Sequence, residues 1–310
     1  MLYDLNVPWP VNNYHTKPNQ NELNNLKNTI VTLHTLGYTH IAINFQINES
    51  IKVPLNQTQL INPIDIDLLK LELSKFPSLK LFTRITIVIY DPAKLQGLTK
   101  IQSQFDILAI QPLTEKALQM CVTNLDIDLI SFNLGSKLAF YLKHKTIGSA
   151  VDKGIKFEIC YNHLISGSIG ITNSATNPVE NLAFVKKNFF NNVLQLIRSS
   201  RSKGIIISSG ANLPLQARNS EDILILLKTL GLDQSRAKGC ITVNPERVLV
   251  NGRLRIKSFK QTILVDNSSS SNTLTNNDKE DPNKKSDANV YKKRLDDSSS
   301  GRLLKKQRKN

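Results

Sequence analysis

Short runs rich in β-branched residues alternate with longer runs of helical period from the first residues to about residue 262. Such alternation restricts a chain to a parallel sheet whose strands are joined by crossover helices. The runs that read as strands are Leu2–Val7, His40–Phe45, Thr83–Tyr90, Phe105–Ile110, Leu129–Asn133, Lys156–Tyr161, Gly204–Ser208 and Cys240–Val243. The helical runs between them are well punctuated. Asn21-Glu22 precedes Leu23, Leu26, Ile30 and Leu33, with Gly37 beyond. Asn177-Pro178 opens a run through Leu182, Val185, Phe189, Val193 and Leu196, and Ser220-Glu221-Asp222 opens one that stops at Gly231. Eight strands over this length predict an α/β fold, a (β/α)8 TIM-like barrel spanning 1–262. An open doubly wound sheet is the alternative that pattern alone leaves standing.

Two segments fall outside the repeat, a polar stretch Gln46–Asn62 and a Ser/Gly/Thr/Asn-rich stretch Leu164–Thr176. In a barrel both would lie at the strand C-termini, where functional loops gather. From about Val265 there is almost nothing to bury, which predicts a disordered Ser/Asn/Lys-rich tail over 263–310. Two basic clusters end it: Lys292, Lys293 and Arg294, then Lys305, Lys306, Arg308 and Lys309. Their separation has the form of a bipartite nuclear import signal, read by an import receptor. A nucleic-acid-binding tail would look alike.

Charge narrows the function further. Residues 1–136 carry 10 basic and 11 acidic side chains, whereas 137–260 carry 19 and 7. A near-neutral half joined to a strongly basic one predicts a face that meets a polyanion. The three cysteines (Cys121, Cys160, Cys240) form no C-x-x-C pair and no disulfide framework, as expected of a reducing compartment. The apolar runs are too short for a membrane helix, and the first ten residues lack a signal-peptide layout.

Catalytic equipment is sparse. The five histidines form no H-x-H or H-E-x-x-H and sit near no cysteine cluster, so no metal is expected. Ser208-Ser209-Gly210 is not a nucleophile elbow. The carboxylate pairs Asp65/Asp67 and Asp126/Asp128 precede a helix and a strand, at capping and turn positions. Phosphate binding is better supplied. Loops after the seventh and eighth strands of a barrel commonly hold phosphate; here they would be Ser208, Ser209 and Gly210, and Asn244 with Arg247. Around them lie Arg198, Arg201, Lys203, Arg218, Arg236 and Lys238, then Arg253, Arg255, Lys257 and Lys260. Many separate cations without a single pocket motif point to an RNA-like polymer. Asp4 and Asn6 share one strand face and would point into the barrel mouth, where they would hydrogen-bond neighbouring strand ends.

Several ordered strings carry a family resemblance: Asp4-Leu5-Asn6, Phe157-Glu158-Ile159-x-Tyr161, Ile206-Ile207-Ser208-Ser209-Gly210-Ala211, Arg218 through Leu232, Ala237-Lys238 and Asn244-Pro-Glu-Arg-Val248. Over residues 1 to about 256 the chain resembles the roughly thirty-kilodalton protein subunit of nuclear and archaeal ribonuclease P, shared with ribonuclease MRP, and looks like a yeast version. The resemblance implies a TIM-like barrel related to the polymerase and histidinol phosphatase (PHP) phosphoesterases. Asp4-Leu5-Asn6-Val7-Pro8 stands where those enzymes carry a metal-binding H-x-H. The chain would then be a non-catalytic scaffold in a particle whose RNA removes the 5′ leader of precursor tRNA, or processes precursor rRNA. The catalytic Mg would be held by the RNA. Expected partners are structured non-coding RNA, precursor tRNA, a small protein subunit of the same particle and other ribonuclease P and MRP proteins, in the nucleus and nucleolus. A metal-dependent PHP-like phosphoesterase or a phosphate-binding barrel remains the alternative.

Overall fold

A computed structural model describes residues 1–49, 61–91, 98–166, 182–259 and 263–264. Among these, seven parallel strands form one sheet in the order β1 to β7: Leu2–Pro8, Tyr38–Asn48, Lys80–Ile89, Ile107–Pro112, Leu129–Ser131, Lys156–Cys160 and Ile205–Ser208. Sequential order with parallel neighbours makes the sheet curl into a barrel. The β1–β7 seam is bridged without a regular ladder. Gly210 donates its N–H to the Asn6 carbonyl at 2.9 Å, and Ser209 donates its own to Asp4 Oδ1 at 3.0 Å. Only glycine fits this seam, because Gly210 has φ +63° and a Cβ there would lie 2.2 Å from Cys160 Sγ.

The helices follow local signals. Helix α1 (Gln20–Thr35) starts where Glu22 accepts a hydrogen bond from the Asn19 N–H at 2.8 Å. It buries Leu26, Ile30 and Leu33 against the sheet and ends at Gly37, φ +95°. The short helices α2 (Ile66–Glu72), α3 (Leu98–Gln102), α4 (Glu115–Thr123), α5 (His144–Asp152) and α6 (Asn162–Ser166) follow. Asp65 caps α2 by accepting from the Leu68 N–H at 3.0 Å. Helix α7 (Leu182–Ser200) buries Val185, Phe189, Val193 and Leu196 of the predicted stripe, while Leu182, its first residue, is exposed. Helix α8 spans Ser220–Thr229, and Gly231 beyond it has φ +92°.

The expected eighth strand is corrected. Cys240–Val243 is the junction of two helices, α9 (Gln234–Ile241) and α10 (Val243–Lys257). Cys240-Ile-Thr-Val is β-branched locally, but Ala237, Cys240, Ile241, Pro245, Val248 and Gly252 are the buried positions. Their spacing is helical, and burial of that stripe outweighs the strand propensity of four residues. Helix α9 packs beside β7 and β1. Helix α10 then crosses the end of the barrel where the strands begin. Asn244 Nδ2 donates to the carbonyl of Ile205, the first residue of β7, at 2.8 Å. Val248 enters the barrel interior among Tyr3, Leu5, Ala42, Ile107, Leu129 and Ile206. Gly252 lies so close to the Asp106 carbonyl that a Cβ would sit 2.0 Å from its oxygen. Arg255 reaches the far side, under β4 and β5. The barrel is thus plugged at its base by a helix.

Met1–Asp266 forms one compact unit, and β8 (Ser258–Phe259) pairs antiparallel with β9 (Ile263–Leu264) within it. Other expectations fall outside the described residues: Ser50–Leu60, residues 167–176, the Asn177-Pro178 helix start, Lys260, and the tail with Lys292, Lys293, Arg294, Lys305, Lys306, Arg308 and Lys309. Gln46–Asn48 of the expected polar insertion belong to β2.

Candidate nucleic-acid interface

Parallel strands give the barrel two unlike ends, a mouth where strands finish and a base where they begin. At the mouth the inward positions are occupied by a closed polar network. Arg84 on β3 and Glu158 on β6, both fully buried, form a bidentate ion pair with N···O distances of 2.5 and 2.6 Å. Arg84 also donates to the Leu5 carbonyl at 2.8 Å and to Thr86 Oγ1 at 3.1 Å. Asn6 Nδ2 donates to Glu158 at 3.3 Å, Asn44 Nδ2 donates to Asn6 Oδ1 at 2.8 Å, and Thr86 donates to Asn44 Oδ1 at 2.7 Å. Burial, the largest single influence, would raise the Glu158 carboxyl, but the Arg84 guanidinium together with the Ser131 and Ser208 hydroxyls holds the group below its ordinary value.

Beside this network Asp4 is buried and its pKa is pushed up to about 6 by desolvation, against hydrogen bonds from Ser209 and Asn6. Over this network, the space lined by Asn6, Asn44, Gln46, Gln111, Asn133 and Asn162 is about 50 Å³, and beside it a cavity of about 320 Å³ lies against the ends of β1 and β2, lined by Trp9, Glu22, Asn25, Asn44, Gln46 and Asn212. The smaller space is room for a few waters. A guanidinium and a ring of neutral amides, even with the His163 imidazole and the Cys160 thiol in the lining, are poor company for a metal dication. Among the described residues no three His, Cys, Asp or Glu side chains converge as a metal site.

The base is different. Crossover helices run from mouth back to base, so the last turn of α7 and the turns before β6 and β7 gather there with α9 and α10. Arg198, Arg201, Lys203, Arg236, Lys238, Arg247, Arg253 and Lys257 are all exposed on these elements. Lys80 at the start of β3 and Lys153 before β6 are exposed with them. Arg236 Nη1 donates to the Arg201 carbonyl at 3.4 Å, joining α9 to the turn after α7. Lys156, buried at the start of β6, has its pKa lowered by desolvation first and then by Arg247, as expected where cations crowd.

The expected phosphate cradle of two adjacent loops therefore does not exist as a unit. Ser208, Ser209 and Gly210 are buried at the mouth end, where they close the seam. Arg218, also at the mouth, donates Nη1 to the carbonyls of Leu215 and Ala217 at 2.7 and 2.8 Å. Asn244 and Arg247 lie at the opposite end, because the segment meant to be the eighth strand is helix. Asn244 holds α10 to β7. Arg255 is a structural residue: its side chain is 3% exposed, its Nη2 lies 3.0 Å from Asp128, and it donates to the carbonyls of Gln102, Phe105 and Asp106. Arg84, Glu158 and Asp128 were not among the expected site residues. Arg84 and Glu158 were legible as single charges within apolar strands, Thr83-Arg84-Ile85 and Phe157-Glu158-Ile159.

Comparison with known proteins adds the following. A family model described as RNase P subunit p30 matches residues 1–257. The chain is 48% identical over 265 residues to the ribonuclease P/MRP protein subunit RPP1 of Saccharomyces cerevisiae, covering 86% of this chain and 85% of that protein. It is 31% identical to the probable ribonuclease P protein subunit 3 of Schizosaccharomyces pombe, covering 85% of this chain and 98% of that protein. Its fold is similar to a chain in the cryo-EM structure of archaeal ribonuclease P with mature tRNA, with a TM-score of 0.56 at 15% identity, covering 86% and 99% of the two chains.

Proposed function

The chain belongs to the RNase P subunit p30 family, and from that membership we propose that it is a non-catalytic subunit of ribonuclease P and MRP that holds structured RNA on the base of its barrel. The observation that carries the reading is the division between the two ends. The barrel interior at the mouth, where barrel enzymes do chemistry, is occupied by the Arg84–Glu158 pair and its amides, and the cavity of about 320 Å³ beside it is lined mainly by Asn, Gln, Pro and Trp side chains rather than by cations. The base collects exposed cations from α7, α9, α10 and the strand starts. Each phosphate neutralised releases counterions, so binding of this kind is steeply salt-dependent.

On this reading Arg198, Arg201, Lys203, Arg236, Lys238, Arg247, Arg253 and Lys257 contact phosphate, while Arg255 keeps α10 in place. Catalysis and its Mg belong to the RNA, which processes precursor tRNA in one particle and precursor rRNA in the other. A small protein subunit of the same particle is the expected neighbour. The tail clusters around Lys292 and Lys305 would serve an import receptor, giving residence in nucleus and nucleolus. Two measurements test this. RNA recovered with the full chain purified from its native cell should be a structured non-coding RNA. Arg253→Gln with Lys257→Gln should flatten the salt slope of binding by about 2 units of phosphate contact. Recovery of no structured RNA at moderate salt refutes the proposal.

A further inference from the structure

Between α10 and the starts of β1, β2 and β3 lies a slot of about 390 Å³. One wall is aromatic. Tyr3 and His40 have ring centroids 4.6 Å apart, and His40 and Phe82 are stacked at 6.0 Å with 12° between their planes. The other wall is aliphatic and partly open to solvent: Val250 is 50% exposed and Ile256 is 38% exposed. Lys80, Arg253 and Lys257 line the slot as its cations, and Asp106 and Glu246 line it as carboxylates.

Histidine 40 contributes a defined polar edge. The Thr39 hydroxyl donates to the Leu2 carbonyl at 3.3 Å, which leaves its oxygen to accept from His40 Nδ1–H at 2.8 Å. Nε2 is then the acceptor of the neutral ring. Desolvation first, then Lys80 and the N-terminal amine, lower the His40 pKa against the opposing pull of Glu246, and the net shift favours the neutral ring.

A slot with an aromatic and an aliphatic wall, three cations, and the His40 ring and two carboxylates as hydrogen-bond acceptors matches a flat heteroaromatic ring that carries N–H donors and is attached to a phosphate. We propose that this basal slot takes an unpaired nucleobase of the bound RNA, with Lys80, Arg253 and Lys257 on its flanking phosphates. The proposal rests on the RNA-binding reading above and adds that this face engages a base as well as the backbone. It gives the exposed Val250 and Ile256 a ligand.

The test measures binding of the full chain to a single-stranded oligoribonucleotide and to the same backbone with abasic sites. The tail's cations meet phosphates in both ligands, so their contribution cancels in the comparison. Base–aromatic stacking predicts a preference of roughly five- to hundred-fold for the base-bearing strand. Val250→Trp fills the slot from an exposed position. It should bring the natural strand down to the abasic affinity while leaving abasic binding and the salt slope unchanged. Phe82→Leu, with its fold checked by thermal unfolding, should lose most of the same preference.

Equal affinity of the unmodified protein for both strands, or a preference that survives both substitutions, overturns the slot while the RNA reading stands. Absence of binding to either strand overturns the RNA reading itself. A nucleoside monophosphate should compete only weakly, because it lacks the neighbouring phosphates. Tight saturable binding of the mononucleotide, with no affinity for the strand, would assign the slot to a small molecule and overturn the proposal.

Discussion

Replacing Glu158 by Gln removes one charge from a place that water does not reach, and its consequence can be worked from the geometry. Arg84 and Glu158 have fully buried side chains and face each other across the barrel through two N···O contacts of 2.5 and 2.6 Å. In Glu158→Gln the guanidinium keeps its bonds to the Leu5 carbonyl and Thr86, but loses the carboxylate that balances its charge. Leaving one partner of a buried pair uncompensated costs about 3–5 kcal/mol, a large share of the roughly 5–15 kcal/mol that holds a typical protein folded. At about 2–4 °C per kcal/mol for a unit of this size, the melting temperature should fall by roughly 10 °C.

The assay is urea and thermal unfolding of Glu158→Gln, Arg84→Met and the double variant Arg84→Met/Glu158→Leu. The double variant should lose no more than the worse single one, because it removes both desolvation costs together. The difference between parent and Glu158→Gln should also depend on pH. The Glu158 carboxyl is held low in the folded state, so its contribution is present above the unfolded value of about 4.3. It is lost as pH falls through the folded value, and the two proteins should converge in acid. A Glu158→Gln cost below about 1 kcal/mol, or strict additivity of the single losses, would show that the pair is not the anchor described here. Variants that remain folded should keep the parent's salt slope for RNA, since the pair sits away from the base.

Three further outcomes follow from other parts of the barrel. Asp4, with a pKa of about 6 when folded and about 3.9 unfolded, binds its proton more tightly in the native state. Its stabilising effect is complete below the unfolded value and lost as pH rises through 6, so Asp4→Asn should be more stable than the parent by up to about 3 kcal/mol at pH 7.5 and level with it near pH 3. Gly252→Ala ought to gain about 1 kcal/mol of helix propensity, yet the Cβ 2.0 Å from the Asp106 oxygen forces α10 off the base. A net loss of roughly 1–3 kcal/mol in denaturant titration is expected, and a net gain would show that α10 is not seated as described. Arg255→Ala should cost about 3–5 kcal/mol by stranding the buried Asp128, whereas Arg253→Ala should leave stability within about 0.5 kcal/mol; equal losses in unfolding experiments would refute the division of the two arginines into a structural and a surface residue.

The sequence by itself was enough for the class of fold, for seven of the eight expected strands, for the absence of histidine and cysteine metal motifs, and for the concentration of positive charge in the second half. Each of these is local. A strand of β1's kind or a helix of α1's kind is written in the period of its own residues, and charge is simply counted. Only the tertiary structure decided where those charges go. Ser208–Gly210 and Asn244–Arg247 are neighbouring loops in an eight-stranded pattern. They lie at opposite ends once Cys240–Val243 joins a helical stripe whose burial requires the barrel floor. Arg84 and Glu158 stand 74 positions apart, and nothing in either strand states the other's register. Asp128, legible as a turn residue, became the anchor of α10 because Arg255 arrives from 127 residues away. Periodicity is a property of neighbours along the chain. The pairing of buried charges, and the end of the barrel that a helix covers, depend on which distant surfaces exclude water together.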